Sequence, residues 1–291
     1  MILRNLAIKA FVISALGFSS LLLSGQAAAQ TDNLRDTTGD VGSSAISATP
    51  TPTPAPKPKT TWGGVYFGGF GGANFSDSTV NTSTVWDPAG YFQPSSVELI
   101  NHAGVRRLTG TNIVGGVDVG YNRQRGRLVY GGEFDVGVLS GTQTESGSNA
   151  YLCCPGTFTI DQSFKTSWMA TLRPRIGAAV GKKFLVYATG GAALLKYDYE
   201  VNFSDTHSDA VESGGINKKR FGWIGGVGLE YMWRKNIAFK LEGLHAEFGR
   251  VSTSSTNLNV NFDPFAIPQN PFEHSIFIKG NMIRIGVNFH F

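Results

Sequence analysis

Two cysteines in 291 residues, adjacent at Cys153 and Cys154, are too few for a disulfide framework and cannot alone build a zinc site. In an oxidising compartment the pair can close a vicinal disulfide that stiffens its loop, or cross-link two chains, and the sequence leaves both open. Charge is sparse as well, at 16% of residues, with a net +4. Removing Arg4 and Lys9 with an amino-terminal signal leaves 23 basic against 21 acidic residues, or +2, too small and scattered a charge for a nucleic-acid partner. The five histidines, His102, His207, His245, His274 and His290, show no His-x-x-x-His spacing, so no metal or cofactor is expected. Past residue 23 no apolar run approaches 18 residues, which excludes a helical membrane span there.

What is present begins with a targeting pattern. Residues 1–29 carry Arg4 and Lys9, an apolar core from Ala10 to Leu23 and the small exit Ala27-Ala28-Ala29, which reads as a cleavable secretory signal. No cysteine sits where a lipid anchor would need one. Residues 30–61 end in Thr-Pro-Thr-Pro-Ala-Pro-Lys-Pro-Lys, an extended, polyproline-like periplasmic tether with no core of its own, acting as a spacer or reaching toward peptidoglycan.

From Trp62 to Phe291 the apolar period is two, and glycine is abundant, at 37 in the whole chain. In Asn281–Phe291, Ile283, Ile285, Val287, Phe289 and Phe291 alternate with Arg284, Gly286, Asn288 and His290, a strand about long enough to cross a bilayer at a tilt. Similar alternation predicts strands at 62–75, 112–122, 127–140, 167–179, 183–201, 221–233 and 237–249. Pro174 predicts a bulge or weak pairing in the fourth, and a loss of phase near Leu244 suggests a bulge in the seventh. In the fifth, Leu185, Tyr187, Leu195, Tyr197 and Tyr199 are assigned outward and Lys196, Asp198 and Glu200 inward. Connections alternate long and short. Eight strands with that rhythm predict an all-β, antiparallel, up-and-down transmembrane β-barrel, closed because unpaired backbone groups in lipid are costly. A soluble sandwich shares the alternation but not the loop rhythm, nor aromatic residues at strand ends such as Tyr197, Tyr199, Tyr231, Trp233, Phe289 and Phe291, which read as interface girdles.

The run Trp62-Gly63-Gly64-Val65-Tyr66-Phe67-Gly68-Gly69, the segment Phe221 to Tyr231, the step Lys240-Leu241-Glu242 and the terminal Phe291 together resemble the small "porin family" outer-membrane barrels of alphaproteobacteria, also called outer-membrane immunogenic proteins. These are similar in architecture to the OmpA transmembrane domain. The resemblance covers residues 62–291 and implies location in the Gram-negative outer membrane as a surface antigen, with Phe291 as an assembly signal read by the barrel-assembly machinery. It also implies a structural or surface role, contact with outer-membrane lipid and lipopolysaccharide, and small-solute permeation or host ligands as further options.

On the inward parity the strands place Asp118, Glu133, Asp135, Arg173, Arg175, Glu230, Lys240, Glu242 and Arg284. An eight-stranded barrel is just wide enough to be filled by its own side chains, so these mixed charges read as an interior salt-bridge network rather than a channel lining. The alternative function is a surface ligand-binding or adhesion protein, with haem held by His102, His207 and His274 from three long loops. No nucleophile–base–orienter set is visible: His207-Ser208 and His274-Ser275 are adjacent, so their side chains would point to opposite faces, and no enzyme is expected.

Overall fold

The computed structural model describes residues 62–260 and 266–291. The expected signal and tether, residues 1–61, lie outside them. Eight strands follow in order: β1 (Gly64–Thr84), β2 (Arg106–Arg125), β3 (Leu128–Ala150), β4 (Thr157–Val180), β5 (Phe184–Asp205), β6 (Val211–Arg234), β7 (Ile237–Ser255) and β8 (Phe272–His290). Each pairs antiparallel with its sequence neighbour, and β1 also pairs with β8, closing the up-and-down barrel that alternation and loop rhythm predict. One helix, α1 (Pro94–Ala103), fills the first long connection. Pro94 opens it, where a missing N–H costs nothing, and it buries Ser96, Val97 and Ile100.

The strands are much longer than the alternating segments that reveal them. β4 has 24 residues, roughly 60 Å of height at a tilt near 40°, whereas an outer-membrane apolar band is about 25 Å tall. That band lies at the short-turn end. There Val65, Phe67, Ile113, Val117, Val119, Phe134, Val136, Leu172, Ile176, Val227, Leu229, Leu241, Ile283 and Ile285 point outward, and charged or small residues point in. Above it the polarity reverses. Val80, Leu108, Phe158, Ile160, Phe164, Tyr197, Tyr199, Val201, Phe203, Ile276 and Ile278 are buried inside, while Lys165, Glu200, Asn217 and Lys219 face out.

The ring also opens where the polarity reverses. The β2–β3 ladder stops at Ile113↔Ser140 and the β6–β7 ladder at Trp223↔Glu247. Other ladders continue, to Val80↔Arg106, Thr84↔Phe272, Ala150↔Thr157 and Ser204↔Val211. The upper tier is therefore two four-stranded sheets, β3–β6 facing β7, β8, β1 and β2, packed over one apolar core. Side chains stitch its seams: Gln143 Nε2 donates to Asn112 Oδ1 (3.0 Å), and Arg220 Nε to the Phe248 carbonyl (3.2 Å).

The reading of β5 is corrected: the inversion accounts for Leu195, Tyr197 and Tyr199, whereas Leu185 and Tyr187 lie in the lower tier, where the exposed parity of Phe184, Val186 and Ala188 is equally apolar. Leu185, Tyr187, Leu195, Tyr197 and Tyr199 point inward, and Lys196, Asp198 and Glu200 lie on the outer wall. Tyr197 and Tyr199 are core residues of the upper tier, not girdle. Nor does β7 lose phase at Leu244: Lys240, Glu242, Leu244, Ala246 and Phe248 all face in, and the interior itself changes from charged to apolar. Its ladder irregularities fall at Met232/Arg234 and Glu247/Gly249 instead. Around Pro174 the ladder to β5 is interrupted between Leu172↔Ala192 and Arg175↔Thr189 without a change of register, which is weak pairing beside a missing N–H and not a bulge. The short-turn girdle comprises Phe67 stacked on Phe289 and Phe291 (5.5 Å each), Phe184 beside Tyr231 (5.1 Å) and Trp233 beside Phe239 (6.0 Å).

Candidate functional site

Nine inward charges meet in one layer inside the membrane tier. Arg173 is its hub. It donates to Glu133, to Asp135 Oδ2 (2.8 Å) and to Glu242 Oε1 (3.3 Å). Arg175 bridges Glu133 Oε2 (3.2 Å) and Glu230 Oε1 (2.8 Å); Lys240 bridges Asp118 (2.7 Å) and Glu133 (3.3 Å). Arg284 joins Glu242 (2.8 Å) to Asp135 (3.3 Å). Every one of these side chains is almost fully buried, so each charge depends on its partners for what water would otherwise supply.

Three polar side chains complete the layer that charge counting alone misses. The Tyr66 hydroxyl donates to Glu133 Oε2 (2.8 Å), Tyr187 to Glu242 Oε1 (2.9 Å) and Thr171 to Asp135 Oδ2 (2.6 Å). The Arg175 guanidinium lies over both tyrosine rings, 5.0 Å and 4.2 Å from their centroids. Gly120 and Gly228 make this possible, because a Cβ at either position would enter the ring of Tyr66 or Tyr187. The parity of Tyr66 in the Trp62–Gly69 run was a usable signal for it. That of Tyr187 was obscured by the inverted reading of β5.

Apolar residues close the layer on both sides. Toward the short turns lie Trp62, Val129, Ala179, Leu185, Met232 and Ala238, with Trp62 edge-on to His290 at 5.7 Å. Toward the long loops, Phe70 lies under Arg284 (4.2 Å) and the upper core begins. Between charge layer and upper core, a space lined by Asn74, Leu139, Phe164, Met169 and Met282 measures about 30 Å³, room for about one water molecule. A larger hollow of about 830 Å³ lies against the outer wall, where Gly69, Gly71 and Gly286 leave gaps between Leu229, Leu241 and Ile285.

Loops seal the far end. Phe92, ahead of α1, wedges between Phe203 (5.5 Å) and Phe272 (5.8 Å). Asp205 gathers three connections: Oδ2 accepts from the hydroxyls of Tyr91 (2.7 Å) and Tyr151 (2.9 Å), and Oδ1 from the N–H groups of Ser208 (3.2 Å) and Ala210 (3.0 Å). Burial pushes both phenols well above their ordinary pKa, and the Asp205 carboxylate acts in the same direction. Asn270 ties in the fourth connection through the Tyr91 N–H (2.5 Å) and the Val85 carbonyl (2.9 Å). Cys153 and Cys154 are joined as a vicinal disulfide, and Cys153 Sγ lies 3.4 Å from Ser96 Oγ of α1. A surface cleft of about 650 Å³ remains, lined by Tyr91, Phe92, Tyr151, the disulfide and His207.

The three histidines considered for haem do not converge. His102 is exposed on α1 and His207 Nδ1 pairs with the Pro155 carbonyl (2.8 Å). His274 belongs to β8, not a loop, and is buried, with Thr82 at Nδ1 (3.3 Å) and both Ser255 (3.0 Å) and Glu212 (3.3 Å) at Nε2. This cluster of a hydroxyl, an imidazole and a carboxylate went unnoticed in the sequence because its members are scattered over three strands. It is not a relay: serine and carboxylate share one ring nitrogen, so no carboxylate orients the imidazole from its other side.

The chain matches the family model "Outer membrane protein beta-barrel domain" over residues 41–291. It is 27% identical over 247 residues to the 31 kDa outer-membrane immunogenic protein of Brucella melitensis, covering 79% of this chain and 84% of that one. Against the 22 kDa outer membrane protein of Rhizobium leguminosarum bv. viciae it is 32% identical over 134 residues, 46% of this chain and 52% of that one. Among solved structures it is similar to OprG of Pseudomonas aeruginosa, with 13% identity, 79% and 97% coverage and a TM-score of 0.44.

Proposed function

This chain belongs to the outer-membrane β-barrel family and resides in the outer membrane, and from that premise we propose that it is a closed structural and surface element rather than a conduit. One observation carries the reading: the interior is filled in series by the Trp62 cluster, the nine-charge layer, the upper apolar core and the α1 loop. The charge layer is a stabilising plug. In this reading the short turns and the amino terminus face the periplasm and the upper tier stands outside the cell, in contact with lipopolysaccharide and host ligands. The barrel-assembly machinery inserts the protein, with Phe291 as part of its signal, and the proline-rich segment extends toward peptidoglycan.

The test is a planar-bilayer recording of the refolded full-length protein, after boiled and unboiled samples have been shown to migrate differently on a gel. A silent membrane is the expected result. Reproducible conductance steps from the wild-type barrel would overturn the proposal and make the interior charges the lining of a path.

A further inference from the structure

On the outer wall, β4, β5 and β6 carry a row of register partners: Trp168 opposite Lys196, and Lys196 opposite Lys219. Trp168 and its neighbours mark the top of the apolar band. The rows beneath are apolar, Ala170 beside Leu194 and Leu194 beside Phe221. Lys219 Nζ lies 5.4 Å from the Trp168 ring centroid, and Lys165 is exposed on β4 above it. These lysines are therefore the first charges met on leaving the hydrocarbon on this side of the barrel.

Asp198 stands opposite Lys165 in the β4–β5 register, but no carboxylate faces Lys196 or Lys219 in their own row. Among the described residues, none of Lys165, Lys196, Lys218 or Lys219 forms an ion pair, whereas Arg107 and Lys279, on the opposite sheet at a similar height, share Asp77. Two lysines directly opposed on neighbouring strands repel, and the sheet gains nothing by placing them so. The arrangement becomes favourable if an anion sits between them at the level of the lipid headgroups.

We propose that Lys196 and Lys219, with Trp168 in the same row and the apolar wall below, form a docking site for the phosphorylated headgroup of lipid A, the membrane anchor of lipopolysaccharide. The match is one of depth and charge: lipid A carries its phosphates at the top of an acyl layer, and here an aromatic ring and an apolar wall meet unpaired cations at that level. The site rests on the reading that the upper tier faces outside the cell. It is independent of whether the barrel conducts, so channel activity would sink the closed-barrel proposal and leave this one standing.

The experiment uses the full-length protein folded in detergent micelles, titrated with bisphosphorylated lipid A, the bound fraction being read by native mass spectrometry. Lys196→Ala and Lys219→Ala should each weaken binding about fivefold, the loss expected for one surface cation near an anionic leaflet. Lys196→Glu with Lys219→Glu should abolish it. Lys182→Glu with Lys183→Glu, at a short turn, should leave it unchanged. Heat-modifiable gel mobility verifies that each variant is folded; should the double reversal not fold, the alanine variants carry the test. Equal binding by all folded variants would overturn the site. So would equal binding of phosphatidylglycerol, which would mean any acidic lipid suffices, or displacement by inorganic phosphate alone, which would mean a small-anion site.

Discussion

Truncating Arg173 to alanine leaves Glu133, Asp135 and Glu242 buried without their shared partner. Unfolding of the refolded barrel in urea should then show a loss of about 3–5 kcal/mol, the range for breaking a buried ion pair from one side. Tyr66→Phe removes only one hydroxyl from the same layer and should cost about 1–3 kcal/mol. At the mouth, the raised phenols of Tyr91 and Tyr151 set the sign of a pH effect. A neutral phenol favoured in the folded state contributes stability below its unfolded pKa of about 10, and that contribution is lost as pH rises through the folded value. Titration at 295 nm should therefore find two fewer late tyrosines in Tyr91→Phe with Tyr151→Phe than in the wild type, and the loops should loosen only under strongly alkaline conditions. The nine interior charges were legible individually because each lies in the membrane tier, where alternation has its expected sense. Lys196, Asp198 and Glu200 were misplaced because they lie above it, and nothing local in Lys196-Tyr197-Asp198-Tyr199-Glu200 tells a strand in lipid from one in water.

For the strands, the test is the position of the boundary between tiers. Val227→Arg, outward on β6 inside the apolar band, should destabilise by about 2–4 kcal/mol, whereas Asn217→Arg, outward on the same strand above it, should fall within about 0.5 kcal/mol of wild type. Equal effects would mean the band is misplaced. Phe92→Ala removes the wedge between the two upper sheets and should cost about 3–5 kcal/mol. Hydrogen exchange should locate that loss in 272–278 of β8 while 283–289 stays protected. Strand number, order and short turns were readable from period and rhythm. The upper halves of the strands were not, because 141–150, 202–205 and 211–220 are polar and read as loops, although the ladders carry them through.

As a whole, the molecule meets two solvents with one sheet. Inside the lipid band its apolar side faces out and closure satisfies the backbone; above it, the same strands turn their apolar side inward and pack as two sheets, much as the soluble sandwich weighed against the barrel would. The sequence pattern suited both architectures because both are present, stacked along a single set of strands.

Opening the ring has a consequence for solubility. Among the described residues, 212–222 of β6 have no ladder partner on the β7 side, so the upper tier presents a strand edge bridged by side chains alone, the feature through which sheet proteins recruit neighbouring chains. Lys218 and Lys219 are exposed there, and Arg220 spends its donors on the Phe248 and Arg250 carbonyls across the gap. Positive charge along such an edge acts as a gatekeeper, because a second copy approaching in register would bring the same cations against it.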